Sequence, residues 1–175
     1  MSRQTWPGLV DLQVNGFGGH DVNAPDVSVE TIVALTAALW AEGTTTYLPT
    51  VVTAPEERIV RTLRVVAEAR RHDPLVAHSI AGVHVEGPAL SAAAGARGAH
   101  DPRHMRAPDL DELDRWQEAS GGLVRVVTLA PELDGAAEYV AGAAARGVLV
   151  SLGHCVPSPE QVHAAAAAGA RLSTH

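Results

Sequence analysis

The stretch Ile80-Ala81-Gly82-Val83-His84-Val85-Glu86-Gly87-Pro88 is an apolar run that closes on a carboxylate and then on a glycine-proline break. A short run rich in β-branched residues and ended by turn residues reads as a buried strand. Two later runs have the same form: Val148-Leu149-Val150-Ser151-Leu152-Gly153-His154 and Arg171-Leu172-Ser173-Thr174-His175 each finish on an imidazole. Working outward, similar runs recur at 8–15, 44–52 and 123–130, and most intervals between runs carry helix signals. That alternation is the mark of a parallel sheet. A parallel barrel gathers the C-terminal ends of its strands at one mouth, so Glu86, His154 and His175 are expected to converge there. The fold class expected is α/β, a partial TIM-type (β/α)8 barrel of about six strands.

The intervals agree with this reading. Ile32, Leu35 and Leu39 share a helical face behind a Ser28 cap and ahead of Gly43. Thr53-Ala54-Pro55-Glu56 has capping-box spacing and leads into the stripe Ile59, Leu63, Val66. Ser158-Pro159-Glu160-Gln161 combines a serine cap, a proline at the first helical position and a glutamine at the third, so an alanine-rich helix should run to Gly169. The strands read as apolar throughout, which suits a sheet covered on both faces. Residues 87–108, with three prolines and three glycines, form the one long irregular stretch; it follows the third strand on the ligand-bearing side, where long loops tend to carry function.

At 175 residues the chain suits one domain with a sizeable core, taken as residues 1–175. A complete eight-fold barrel typically needs about 250 residues, so a truncated barrel domain is expected. No apolar run approaches the ~20 residues that span a bilayer. Met1-Ser2-Arg3-Gln4-Thr5-Trp6-Pro7 lacks the apolar core of a secretory leader, and Cys155 is the only cysteine, which together point to the cytoplasm. A net charge of −7 argues against nucleic acid and anionic membrane as partners, since both attract clustered cations.

Imidazole and carboxylate are the usual ligands of a catalytic zinc or similar ion. Nine histidines offer several triples, so the place of His154 and His175 at strand ends is what singles them out. Three protein ligands leave a position open for water; the ion would lower the pKa of that water and polarise a carbonyl, which makes amide hydrolysis the natural reaction. His84, two residues before Glu86, reads as a packed barrel-layer histidine, with a ligand role as the alternative. Cys155 reads as a small buried residue rather than a thiolate ligand.

These residues also resemble a family. Pro7-Gly8-Leu9-Val10-Asp11-Leu12-Gln13-Val14-Asn15-Gly16, Gly43-Thr44-Thr45-Thr46-Tyr47-Leu48-Pro49-Thr50, His84-Val85-Glu86-Gly87-Pro88 with Gly98-Ala99-His100-Asp101-Pro102, Ser151-Leu152-Gly153-His154 and Ser173-Thr174-His175 resemble, in order, segments of the amidohydrolase superfamily and within it the N-acetylglucosamine-6-phosphate deacetylases. The resemblance implies Glu86, His154 and His175 as ligands of one divalent ion, zinc or alternatively ferrous iron. Gln13-Val14-Asn15 stands where many amidohydrolases carry His-x-His, so Gln13 and Asn15 are vestigial second-metal positions or hydrogen-bonding groups. It implies Ala99 and His100 as contacts to the sugar of a phosphorylated N-acetyl amino sugar; residues that select the phosphate are expected mostly beyond residue 175, and Arg97, Arg103 and Arg106 in the long loop are only suggestive of that role. The catalytic aspartate of the family belongs to a later strand beyond residue 175, so no catalytic residue is assigned in this chain, and residues 1–175 alone are expected to be inactive. A homodimer is implied for the full-length protein. The expected reaction is deacetylation to glucosamine 6-phosphate and acetate. Its rivals are another amidohydrolase acting on an N-acyl or cyclic amide, and a non-catalytic metal-binding remnant.

Overall fold

The structure, a computed structural model, describes residue 5 and residues 7–175. The leader reading of residues 1–7 therefore lies largely outside the described residues. Six parallel strands, β1 (Leu9–Val14), β4 (Thr44–Val52), β5 (Val83–Glu86), β6 (Val124–Leu129), β7 (Leu149–Leu152) and β8 (Leu172–Ser173), pair in chain order into one curled sheet. This is the expected partial barrel. A small antiparallel pair, β2 (Gly16–Phe17) and β3 (His20–Asp21), follows β1. Six helices connect the strands: α1 (Val29–Ala41), α2 (Glu56–His72), α3 (Pro74–Ser79), α4 (Leu110–Ser120), α5 (Ala136–Ala145) and α6 (Pro159–Ala168).

The helix faces bury what the spacing indicates. Ile32, Leu35 and Leu39 of α1 and Ile59, Leu63 and Val66 of α2 lie in the core, against strand residues such as Tyr47, Val83 and Val85. Ser28 caps α1 with a reciprocal hydroxyl pair to Thr31, and Ser158 with Gln161 forms the capping box of α6. Two expectations are corrected. Thr53 does not cap α2, whose N-cap is Pro55 with no side-chain bond; its hydroxyl instead donates to the Glu86 carbonyl and contacts His100 Nδ1. The third strand also starts later than its apolar run: Ile80 follows α3 (Pro74–Ser79) and makes only an isolated bridge to Tyr47, and the ladder of β5 begins at Val83.

The sheet is not covered evenly. In β1, Leu9 and Val10 are each 63% exposed and Leu12 48%, whereas every residue of β5 is buried. β1 and β8 end the strand order, so each carries an unpaired edge among the described residues. A cavity of about 480 Å³, lined by Gln13, Asn15, His84, Ser151, Thr174 and His175 among others, runs along the open interior. No helix among the described residues is long and apolar enough to cross a membrane.

Candidate metal centre

Because all six strands run parallel, their C-terminal ends share one side, and the ligand-type residues sit there. Glu86 is the last residue of β5, while His154 and His175 each follow the last residue of their strand, β7 and β8, by two positions. Glu86 Oε1 lies 3.1 Å from His154 Nε2 and 3.2 Å from His175 Nε2, and the two imidazole nitrogens are 3.1 Å apart. One ligand atom from each falls within 4.8 Å of the others, the only such group of three found among the described residues. Glu86 is 3% exposed, so its carboxylate needs partners.

The orientation of His154 is specified by the long loop. Its Nδ1 lies 2.9 Å from the Ala96 carbonyl, which can only accept, so Nδ1 carries the proton and Nε2 turns a lone pair toward Glu86 and His175. Its backbone sits at φ 50°, the left-handed region that non-glycine residues seldom occupy. The Ser91 amide donates to its carbonyl at 3.0 Å and helps hold that geometry. Gly98, at φ 58°, lets the loop lie flat on the ring; a Cβ there would stand 3.2 Å from His154 Cε1. A carboxylate oxygen and bare imidazole nitrogens facing one point repel each other unless a proton or cation lies between them, and the oxygen and nitrogen donors suit a zinc-type ion.

The remaining candidates separate into near and far. Gln13 Nε2 donates to Glu86 Oε1 at 3.0 Å, a hydrogen-bonding contact, while Asn15 lines the adjoining cavity and is exposed. The His100 side chain is 6% exposed, with Nε2 3.7 Å from Glu86 Oε2 and its ring packed edge-on to His154 at 4.4 Å between centroids. Ala99 beside it is exposed. Burial foremost holds the His100 imidazole below its ordinary pKa, with Glu86 opposing and His154 and His175 adding to the drop. His84 is lowered chiefly by burial too; it hydrogen-bonds Thr128 and Leu12 rather than joining the three ligands. Burial and then the Glu132 carboxylate push the Cys155 thiol up, away from a thiolate. Arg103 and Arg106 are tied to Asp101 and Glu112 within the chain, and Arg106 also donates to the Ala54 and His104 carbonyls. Of the three loop arginines, Arg97 alone carries no ion pair among the described residues. Sequence reasoning missed Thr53 and the Ala96 carbonyl as supports, since neither belongs to a recognisable ligand pattern.

Half a parallel barrel with a Glu-His-His cluster at its strand ends defines the class, an α/β-barrel protein with a candidate metal site. The comparisons specify the relatives. The chain is 32% identical over 171 residues to N-acetylglucosamine-6-phosphate deacetylase of Bacillus subtilis and 37% identical over 175 residues to that of Homo sapiens, each covering 97% of this chain. The crystal structure of the Mycobacterium smegmatis deacetylase matches with a TM-score of 0.85 at 38% identity over 97% of this chain, and a variant of that enzyme has been solved in complex with N-acetyl-D-glucosamine-6-phosphate. The chain spans 42% of the Bacillus subtilis relative and 41% of the human one. No protein-family model matches the chain. By sequence and by fold, the chain is similar to the N-acetylglucosamine-6-phosphate deacetylases over that part of their length.

Proposed function

We propose that these residues form part of a metal-dependent deacetylase that removes acetate from N-acetylglucosamine 6-phosphate, in one barrel domain that includes residues 1–175. The observation that carries the reading is the meeting of Glu86 Oε1, His154 Nε2 and His175 Nε2 at one point, from the ends of three strands. The names of the relatives supply the substrate class. A divalent ion held by these donors, zinc first and ferrous iron second, would activate water and polarise the amide carbonyl.

The chain's own groups do the rest. Gln13 fixes one carboxylate oxygen of Glu86 and Ala96 fixes the tautomer of His154. Thr53 Oγ1 lies 3.0 Å from His100 Nδ1 and helps hold that ring, and the sugar contacts proposed are His100 and Ala99. Glu86 is committed as a ligand, and among the described residues no second carboxylate joins the cluster to move the proton to the leaving amine. Residues 1–175 alone are therefore proposed to be inactive. A homodimer and a cytoplasmic location complete the reading; sedimentation and cell fractionation read them, and a monomer or a secreted product would remove each.

The test is to express the reading frame that carries these residues through to its stop codon, load it with zinc and measure acetate release. Release from N-acetylglucosamine 6-phosphate and not from the unphosphorylated sugar supports the proposal. Turnover of a cyclic amide instead selects the other amidohydrolase reading, and no turnover of any amide selects the remnant.

A further inference from the structure

Beneath the ligand cluster a line of polar groups crosses the barrel interior. Ser151 Oγ lies 2.9 Å from Thr174 Oγ1, which lies 2.9 Å from Thr128 Oγ1; Thr128 Oγ1 is 2.7 Å from His84 Nε2, and His84 Nδ1 is 3.2 Å from the Leu12 carbonyl. The line runs from β7 and the end of β8 through β6 and β5 to β1. Its direction follows from one end. A carbonyl only accepts, so Nδ1 of His84 carries the proton and Nε2 of the neutral ring accepts from Thr128. Thr128 then accepts from Thr174, and Thr174 from Ser151, so that Thr128 and Thr174 each donate once and accept once.

We infer that this one-way line is a positioning device for the metal centre, with Thr128 and Thr174 setting where His175 stands relative to Glu86. The inference rests on the metal-site reading and extends it. Among the described residues β8 is two residues long and pairs with β7, and His175 lies two positions past it, where a side-chain anchor adds restraint. Thr174, the residue before His175, supplies it: its amide donates to the Leu152 carbonyl at 2.9 Å and its hydroxyl is tied to both β6 and β7. Gly153, the residue before His154, makes room for this, since a Cβ there would stand 2.9 Å from Thr174 Cβ and 3.1 Å from Thr128 Cγ2. The same two threonines thus sit under both imidazole ligands, and groups that orient metal ligands commonly account for about 10- to 100-fold in affinity.

The experiment uses the whole chain and two readouts. Zinc affinity, measured by competition with a chromogenic chelator, is expected to fall about 10- to 100-fold in Thr174→Val and in Thr128→Val and to recover in Thr174→Ser and Thr128→Ser. Ring-nitrogen NMR of the metal-free chain, with the His84 signals assigned by His84→Gln, is expected to show Nδ1 protonated and the Nε2 signal displaced in Thr128→Val. Unchanged zinc affinity in Thr174→Val, or a proton on Nε2 of His84, overturns the inference. The Thr174→Val variant decides the matter should Thr128→Val fail to fold. A wild-type chain that takes up no zinc overturns the metal-site reading and the positioning role with it, while the His84 tautomer separately decides whether the line exists.

Discussion

His154 is the residue on which the candidate site turns, because its ring is aimed by the Ala96 carbonyl and its backbone, whose carbonyl accepts from the Ser91 amide, is held at φ 50°. Replacing it with alanine removes one of the three proposed ligands and is expected to empty the site, whereas Cys155→Ser, at a thiol whose pKa burial raises and which lies outside the cluster, should leave metal content unchanged. Metal analysis by mass spectrometry reads both, and a Cys155→Ser variant that lost its metal would reassign the thiol as a ligand. Glu86, His154 and His175 were legible in the sequence because each ends an apolar run that only a parallel sheet explains. Their supports were not: the Ala96 carbonyl is backbone, indifferent to residue type, and Gln13 reaches Glu86 across 73 positions of chain. The loop arginines illustrate the converse, since charge in a loop suggests an anion site, yet Arg103 and Arg106 are spent on Asp101 and Glu112.

At the scale of the elements, capping signals were readable where the hydroxyl had no better partner. Ser158 faces solvent and has only the first turn of α6 to bond, so it caps as its spacing indicates. Ser158→Ala is expected to cost about 1 kcal/mol in denaturant unfolding and to hasten amide exchange at Gln161; no loss would show that the exposed cap contributes nothing. Thr53 has the same spacing but is buried beside Glu86 and His100, and its hydroxyl turns there. Thr53→Val should therefore displace the His100 ring signals in NMR and leave the α2 amides protected, the opposite of what a capping role would give. Where α1 meets β4, burial raises the Tyr47 hydroxyl to about 12 despite its bond to Thr36. A raised pKa favours the protonated form in the fold, so this stability is fully present below about pH 10 and is lost as pH rises through the folded value. Tyr47→Phe should flatten that alkaline loss by roughly 3 kcal/mol, read from denaturant midpoints across the range; an unaltered slope would show that Tyr47 does not titrate with unfolding.

Across the whole molecule, the order of strands was legible because βα alternation and right-handed, in-order pairing leave few other arrangements. The exposure of β1 was not, since Leu9, Val10 and Leu12 read as core residues and become so only where something covers them. Among the described residues the outer edges of β1 and β8 carry no partner strand, and these edges with the open interior are expected to offer backbone and apolar surface to another copy. Residues 1–175 are expected to associate with rising concentration in sedimentation velocity, and a monomer throughout would show that the edges are protected. The most direct test of the metal centre is zinc titration of the purified chain followed by X-ray absorption at the zinc edge. One zinc per chain, with imidazole and carboxylate donors at about 2.0–2.2 Å and stoichiometric uptake lost in His175→Ala, is the expected result. Sub-stoichiometric zinc, or equal uptake by His175→Ala, would contradict a centre built from Glu86, His154 and His175.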